Sequence, residues 1–255
     1  TTTKFTDLAI DWIDNQTEPW FLWLAYNAPH TPIHLPPNNL HSQGNLPTDN
    51  ASIAANPTPY YMAMLEAMDT EMGRLIASMS QEEKDNTVII FIGDNGTPNQ
   101  VVQEYASARA KGTVYQGGIN VPMIISGKNV NRVNTTENAL INTTDLFTTI
   151  ANIAGVGPTE LNDSKSFETL LTTSNVTVRD YVYAEAGNNS GNSDKTIRNT
   201  THKYILFDDG SEALYNLSSN SMESPNLLNA NQLPLNAENT AAKDELVAKL
   251  IEIQQ

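Results

Sequence analysis

The sequence predicts an α/β protein: a mainly parallel sheet flanked by helices, followed by a small C-terminal α+β subdomain containing an antiparallel sheet. Three observations carry this prediction. Short apolar runs at residues 20–26 and 87–92 flank one long amphipathic stretch, and the order strand, helix, strand implies a parallel crossover unit. Another apolar run at 121–125 and another amphipathic stretch at 145–154 continue the alternation. Beyond Gly155-Val156-Gly157-Pro158 the texture changes to brief strands at 181–185 and 203–207, with a turn at Asp208-Asp209-Gly210. The expected organisation is residues 1–174 as the α/β part and 175–255 as the C-terminal subdomain.

The elements follow in order. Phe5, Leu8, Ala9, Trp12 and Ile13 fall at helical spacing, so the chain opens in an amphipathic helix. Residues 20–26 are almost wholly apolar and rich in aromatics, as expected of a strand covered on both faces. A proline-rich loop, 27–37, and a polar stretch to Asn56 lead to Thr58 as N-cap and Pro59 at the first helical position. Met62, Leu65, Met68, Met72, Leu75, Ile76 and Met79 then recur every three or four residues, which predicts one long buried stripe with methionine as core filler. The run at 87–92 delivers the chain into Gly93-Asp94-Asn95-Gly96. The helix over 145–154 has Thr143 or Thr144 near its cap and Gly155 as its stop, and a terminal helix over 238–253 closes the chain.

Composition limits the function. The 255 residues are 39% hydrophobic, enough for a substantial core. A net charge of −15 with no basic cluster argues against a nucleic-acid partner, and an anionic substrate would need local neutralisation by lysine or metal. With no cysteine, disulfides, thiolate metal sites and a cysteine nucleophile are all excluded from these residues. No run reaches the ~18 apolar residues that span a bilayer, and no signal-peptide pattern is present.

Candidate functional groups gather in loops that follow strands, where open α/β sheets place their ligands. Asp94 and Asn95 offer a carboxylate and an amide carbonyl, two hard oxygens suited to Ca²⁺ or Mg²⁺, although Asp-Asn-Gly also makes ordinary turns. His30 stands in Asn27-Ala28-Pro29-His30-Thr31-Pro32-Ile33-His34, where prolines stiffen the loop around an imidazole. Lys111 precedes Gly112-Thr113-Val114-Tyr115-Gln116-Gly117-Gly118, an ammonium beside a bend that backbone can bring close to an anion.

Taken together, these runs resemble the sulfatase family over essentially the whole chain. The resemblance rests on Ala-Pro-His-Thr-Pro, the helix with Tyr60-Tyr61 and Met68-Asp69, Gly-Asp-Asn-Gly, residues 111–122, and Thr-Asp-Leu-Phe-Thr-Thr-Ile-Ala. Strand-like segments at 197–198, 202–206 and 213–217 are similar to the family's C-terminal subdomain. Matched residue by residue, the resemblance implies Asp94 and Asn95 as a pair of metal ligands, Lys111 as the lysine that holds sulfate and His30 as the histidine facing the ester oxygens. His30 and Lys111 are thus the expected catalytic and substrate-binding residues. It further implies Ca²⁺, with Mg²⁺ as the alternative, a sulfate ester or sulfated glycan as substrate, and a periplasmic or secreted location.

The departures from the family are equally specific. Its formylglycine nucleophile arises from Cys or Ser in Cys/Ser-x-Pro, and none of the 13 prolines here has either residue two positions before it. That nucleophile and the first metal pair, two adjacent aspartates, are expected only in an N-terminal part outside these residues. Asp208-Asp209 reads as a hairpin turn instead. The family often carries Glu and Arg where Gln116 and Asn120 stand, which suggests a buried ion pair replaced by a neutral amide pair. The expected function is sulfuric ester hydrolysis by the parent protein, this chain supplying part of the site and inactive alone. The alternatives are a phosphoryl- or phosphonyl-ester hydrolase of the same alkaline-phosphatase superfamily, and a non-catalytic binder of sulfated glycans. The latter is disfavoured by 29 acidic groups against 14 lysines and arginines.

Overall fold

The computed structural model describes residues 1–158, 160–187 and 193–255. They form two compact units, Thr1–Thr87 and Val88–Gln255.

In the first unit, helix α1 (Thr2–Ile13) packs against helix α3 (Thr58–Ser78), with α2 (Asn50–Ala55) before α3 and α4 (Gln81–Asn86) after it. The face that α3 buries overlaps the expected methionine stripe only at Met68. It is Tyr60, Ala63, Met64, Ala67, Met68 and Glu71, while Met62 is 36% exposed. Alanines at 63 and 67 explain the choice: a small-residue face lets α1 approach closely and bury Thr6, Ala9 and Ile13. Glu71 can enter this face because its carboxylate is satisfied by Arg74 Nε and Nη2 at 3.0 and 2.7 Å and by the Thr3 hydroxyl at 3.2 Å.

Residues 20–26 form no strand among the described residues, so the expected strand covered on both faces is corrected. Burial alternates along the run; Phe21 and Trp23 are 62% and 82% exposed. The opposite side is tied to α1 by Tyr26, whose hydroxyl lies 2.8 Å from that of Thr6, and by an edge-on Trp12–Trp20 contact at 6.0 Å.

The second unit begins with strand β1 (Val88–Ile92), which pairs antiparallel with β2 (Met123–Gly127). The strand pairs among the described residues are antiparallel, and the parallel crossover expected between residues 20–26 and 87–92 is not among them. Strands β1 and β2 run antiparallel because the connection over 93–122 holds only the four-residue α-helix α5 (Gln116–Ile119). A parallel return needs an element long enough to recross the sheet. Ile92 sits opposite Met123, so the whole connection stays at one end of the ladder.

Beyond β2, helix α6 (Asp145–Ile153) packs beside a small hairpin, β3 (Glu160–Leu161) and β4 (Ser164–Lys165). Strands β5 (Val182–Gly187), β6 (Ser193–Arg198), β7 (His202–Leu206) and β8 (Glu212–Asn216) then form the expected antiparallel sheet in simple meander order. Gly210 at φ +81° takes the left-handed position of the β7–β8 turn, which matches the hairpin reading of Asp208-Asp209-Gly210. Helix α7 (Ala237–Ile253) lays Leu246 and Leu250 on Ile197, Tyr204 and Leu214. The other sheet face, with Ile205, Ala213 and Tyr215, packs on Val114. One sheet thus carries a helix on one side and the 114 loop on the other.

Asp145, at the start of α6, is fully buried. The guanidinium of Arg179 grips its carboxylate, which also accepts from the backbone N–H groups of Asn142 and Lys165 at 2.7 and 2.8 Å. The Arg179→Met variant should cost about 3 kcal/mol, the lower end for breaking a buried pair, because two N–H donors still serve the carboxylate. Denaturant unfolding measures this; a loss below about 1 kcal/mol would mean that the pair is effectively solvated.

Candidate active site

The candidate residues are distributed over both units. Asp94 and Asn95 leave β1 directly, and their turn is fastened to the end of the 93–122 connection. The Gly93 N–H donates to Pro122 O at 3.0 Å, and the Gly96 N–H to Gly118 O at 2.9 Å. Gly96 lies so close to the other segment that a Cβ would stand 2.0 Å from Gly117 O and 2.7 Å from Gly118 Cα. Lys111 joins the same assembly through its backbone, its N–H donating to Thr97 O at 3.1 Å. The structure thereby brings together the Asp94-Asn95 turn and the Lys111 segment.

Within this turn Asp94 is exposed and Asn95 half-buried. Asn95 Oδ1 itself is buried and has no hydrogen-bond partner among the described residues. An orphaned carbonyl oxygen is costly unless something electropositive serves it. Beside a carboxylate, it forms a donor set suited to a hard divalent cation. Among the described residues no group of three His, Cys, Asp or Glu side chains could hold a metal.

Beneath Lys111 lies a polar network that sequence reading missed. Lys203, on β7, is completely buried, and its Nζ donates to Val114 O at 2.6 Å, Glu223 Oε1 at 2.6 Å and Gln116 Oε1 at 3.4 Å. Burial pushes its pKa down to about 8, although Glu223 pulls it back up. The second carboxylate oxygen of Glu223 accepts the Gln116 backbone N–H at 2.9 Å. The carbonyl of Glu223 accepts Arg109 Nη1 at 2.7 Å, and Arg109 stacks on Tyr115 and Tyr215 at 4.6 and 5.7 Å from their ring centres. The available signal was a lysine directly before the apolar end of a strand, Tyr204-Ile205-Leu206. This network also corrects the idea of a Gln116–Asn120 amide pair: Gln116 is buried against Lys203, whereas Asn120 is exposed.

His30 belongs to the first unit and is exposed. Its backbone N–H donates to Asn27 O at 2.8 Å, and Nδ1 lies 2.7 Å from Thr31 O. That contact assigns the proton to Nδ1 and leaves Nε2 as the outward-facing ring atom. His34 is likewise exposed, with Nδ1 at 3.0 Å from Pro32 O.

The fold is the sulfatase-like α/β fold with a C-terminal antiparallel sheet. The family model for Sulfatase matches residues 1–156, and the chain belongs to the sulfatase family. It is 27% identical over 256 residues to a sulfatase of Formosa agariphila, an alignment that covers 88% of this chain and 45% of that protein. The chain thus spans about half the length of that relative. A phosphonate monoester hydrolase of Agrobacterium radiobacter shares the fold, with a TM-score of 0.75, 19% identity, and 100% of this chain and 60% of that one covered. So does a protein solved in complex with its substrate D-glucosamine-2-N,6-O-disulfate, with a TM-score of 0.64, 22% identity and 83% and 43% covered.

Gly96→Ala should destabilise the protein by about 1–3 kcal/mol, because the obstructing atoms are backbone and cannot yield. Gly73→Ala, in the middle of α3 with open space at its Cβ, should instead stabilise by about 0.5–1 kcal/mol. Thermal denaturation of the two variants reads opposite shifts; shifts of the same sign would refute the close packing of the two segments.

Proposed function

We propose that the protein carrying this chain hydrolyses sulfuric esters and that residues 1–255 supply part of its metal and sulfate site. The observation that carries the proposal is the orphaned Asn95 Oδ1 beside Asp94, in a turn bonded to the Lys111 segment. Asp94 and Asn95 are the proposed metal ligands, for Ca²⁺ with Mg²⁺ as the alternative. Such a cation neutralises charge that develops on the transferring group. Lys111 is assigned to the sulfate oxygens, where a fixed ammonium stabilises the anion in a protein that is acidic overall. His30, with its proton on Nδ1, presents Nε2; protonated, that atom can donate to the departing alkoxide. A sulfated glycan is the proposed substrate class and a periplasmic or secreted location the proposed setting.

Residues 1–255 contain neither cysteine nor a Ser-x-Pro nucleophile motif, so the proposal assigns the nucleophile elsewhere and holds this chain inactive alone. Titration of the isolated chain with Ca²⁺ should show binding weaker than micromolar, since two residues cannot provide the ~6–8 oxygens the ion takes. Micromolar binding by the isolated chain would show that the ligand set is complete without further residues.

The second reading, a phosphonyl- or phosphoryl-ester hydrolase, is favoured by the fold shared with the phosphonate monoester hydrolase. The full-length protein should turn over aryl sulfate faster than aryl phosphate or phosphonate. Asp94→Ala should reduce kcat/KM by about 10²-fold or more. Faster turnover of the phosphorus esters would reverse the order of the two readings, and an unaffected Asp94→Ala would remove the metal assignment.

A further inference from the structure

Lys203 and Glu223 lie outside the proposed reaction centre, yet each of their side-chain contacts ends on the segment that carries Lys111 or on one another. From Lys203 Nζ the bonds run to Val114 O and Gln116 Oε1, and from Glu223 to the N–H of Gln116 and, through its main-chain carbonyl, to Arg109, two positions before Lys111. From there the chain of contacts continues outward. Gly118 O receives the Gly96 N–H, and Thr97 O receives the Lys111 N–H. Three layers are therefore connected in series: the β7–β8 sheet, the 109–118 segment and the Asp94-Asn95 turn.

A buried ion pair is a poor source of net stability, since desolvation of both charges offsets their attraction. It is a good source of geometry, because an ammonium with three directed donors accepts few alternative arrangements of its acceptors. Glu223 is held at φ +58°, a region that side-chain-bearing residues seldom enter. The carboxylate is thus fixed both by its backbone and by its partners.

We propose that the Lys203–Glu223 pair is a positioning element that sets the placement of Lys111 and of the Asp94-Asn95 turn through the 109–118 segment. The inference deepens the hydrolase reading and rests on it for the roles of Lys111 and Asp94. Neither residue touches substrate, so both are positioning residues and not catalytic ones.

The test is the double variant K203M/E223L in the full-length protein. Replacing a buried pair by apolar residues of similar size is commonly neutral for stability, so the melting temperature should stay close to that of the wild type. Amide hydrogen exchange at Gly96, Lys111 and Gly118 should nevertheless accelerate about tenfold as the local structure loosens. With aryl sulfate, kcat/KM should fall about 10²-fold, the scale of an ångström-sized misplacement. The inhibition constant for inorganic sulfate should rise with KM. Arg179→Met serves as the structural control, since it lowers stability without touching this network and should leave the sulfate inhibition constant unchanged. Wild-type exchange rates in a folded double variant overturn the proposal, as does an equal loss of sulfate affinity in Arg179→Met. If the double variant fails to fold, Glu223→Gln keeps the volume and one acceptor oxygen, and its exchange rates decide in the same way. A wild-type protein that turns over no aryl sulfate overturns the hydrolase reading alone, because the exchange measurements still decide the positioning role.

Discussion

An ammonium removed entirely from water must find its partners inside the protein, and the arrangement of the second unit follows from how Lys203 meets that requirement. Its strand offers no acceptor beyond the ladder, so the acceptors come from distant chain: the carbonyl of Val114, the amide of Gln116 and the carboxylate of Glu223. Each such acceptor adds a directed contact to chain that Val114 also holds by apolar burial. The sheet face that carries Lys203 is thereby committed to the 114 loop, while the opposite face is free to take the apolar stripe of α7. Polar satisfaction decides which loop covers the sheet, and hydrophobic burial then closes the remaining side.

The same logic operates on a smaller scale elsewhere. Asp145 gathers Arg179 and two backbone N–H groups around the start of α6, and Glu71 collects Arg74 and Thr3 at the α1–α3 contact. In each case a buried carboxylate joins parts of the chain that local sequence does not connect. Asn95 Oδ1 is the contrasting case, a buried acceptor whose partner does not come from the described residues. This open oxygen stands next to a carboxylate, in a turn whose following residue Thr97 accepts the Lys111 backbone N–H.

Much of this was legible from residue order, and the failures have identifiable causes. The two strands of the first ladder, helix α6, the C-terminal meander with its Asp-Asp-Gly turn, and the terminal helix all announce themselves through periodicity and turn residues. The Asp94, Asn95 and Lys111 segments were legible because short motifs with glycine mark close backbone approach, and Gly96 proves to have no room for a side chain. Helix α3 was misread because its methionines outweigh its alanines in any hydrophobicity count, whereas close helix contact selects Ala63 and Ala67. The parallel crossover expected between residues 20–26 and 87–92 is missing from the described strand pairs because residues 20–26 form no strand there. Residues 20–26 look like a core strand by composition, but composition does not supply a neighbour to pair with. Lys203 and Glu223 were invisible as a pair, since nothing local relates a lysine on one strand to a glutamate beyond the next.

The register of the first ladder has a practical corollary. Because Ile92 faces Met123 and Val88 faces Gly127, the loop that begins at Lys128 leaves from the end of the ladder opposite to the Asp94 turn. Its tip, residues 133–136, is exposed, with Asn134 in a left-handed conformation that a small insertion could adopt readily. A peptide tag or a surface-coupling residue placed there would enter the chain at the end of this ladder opposite to the one that leads into the turn.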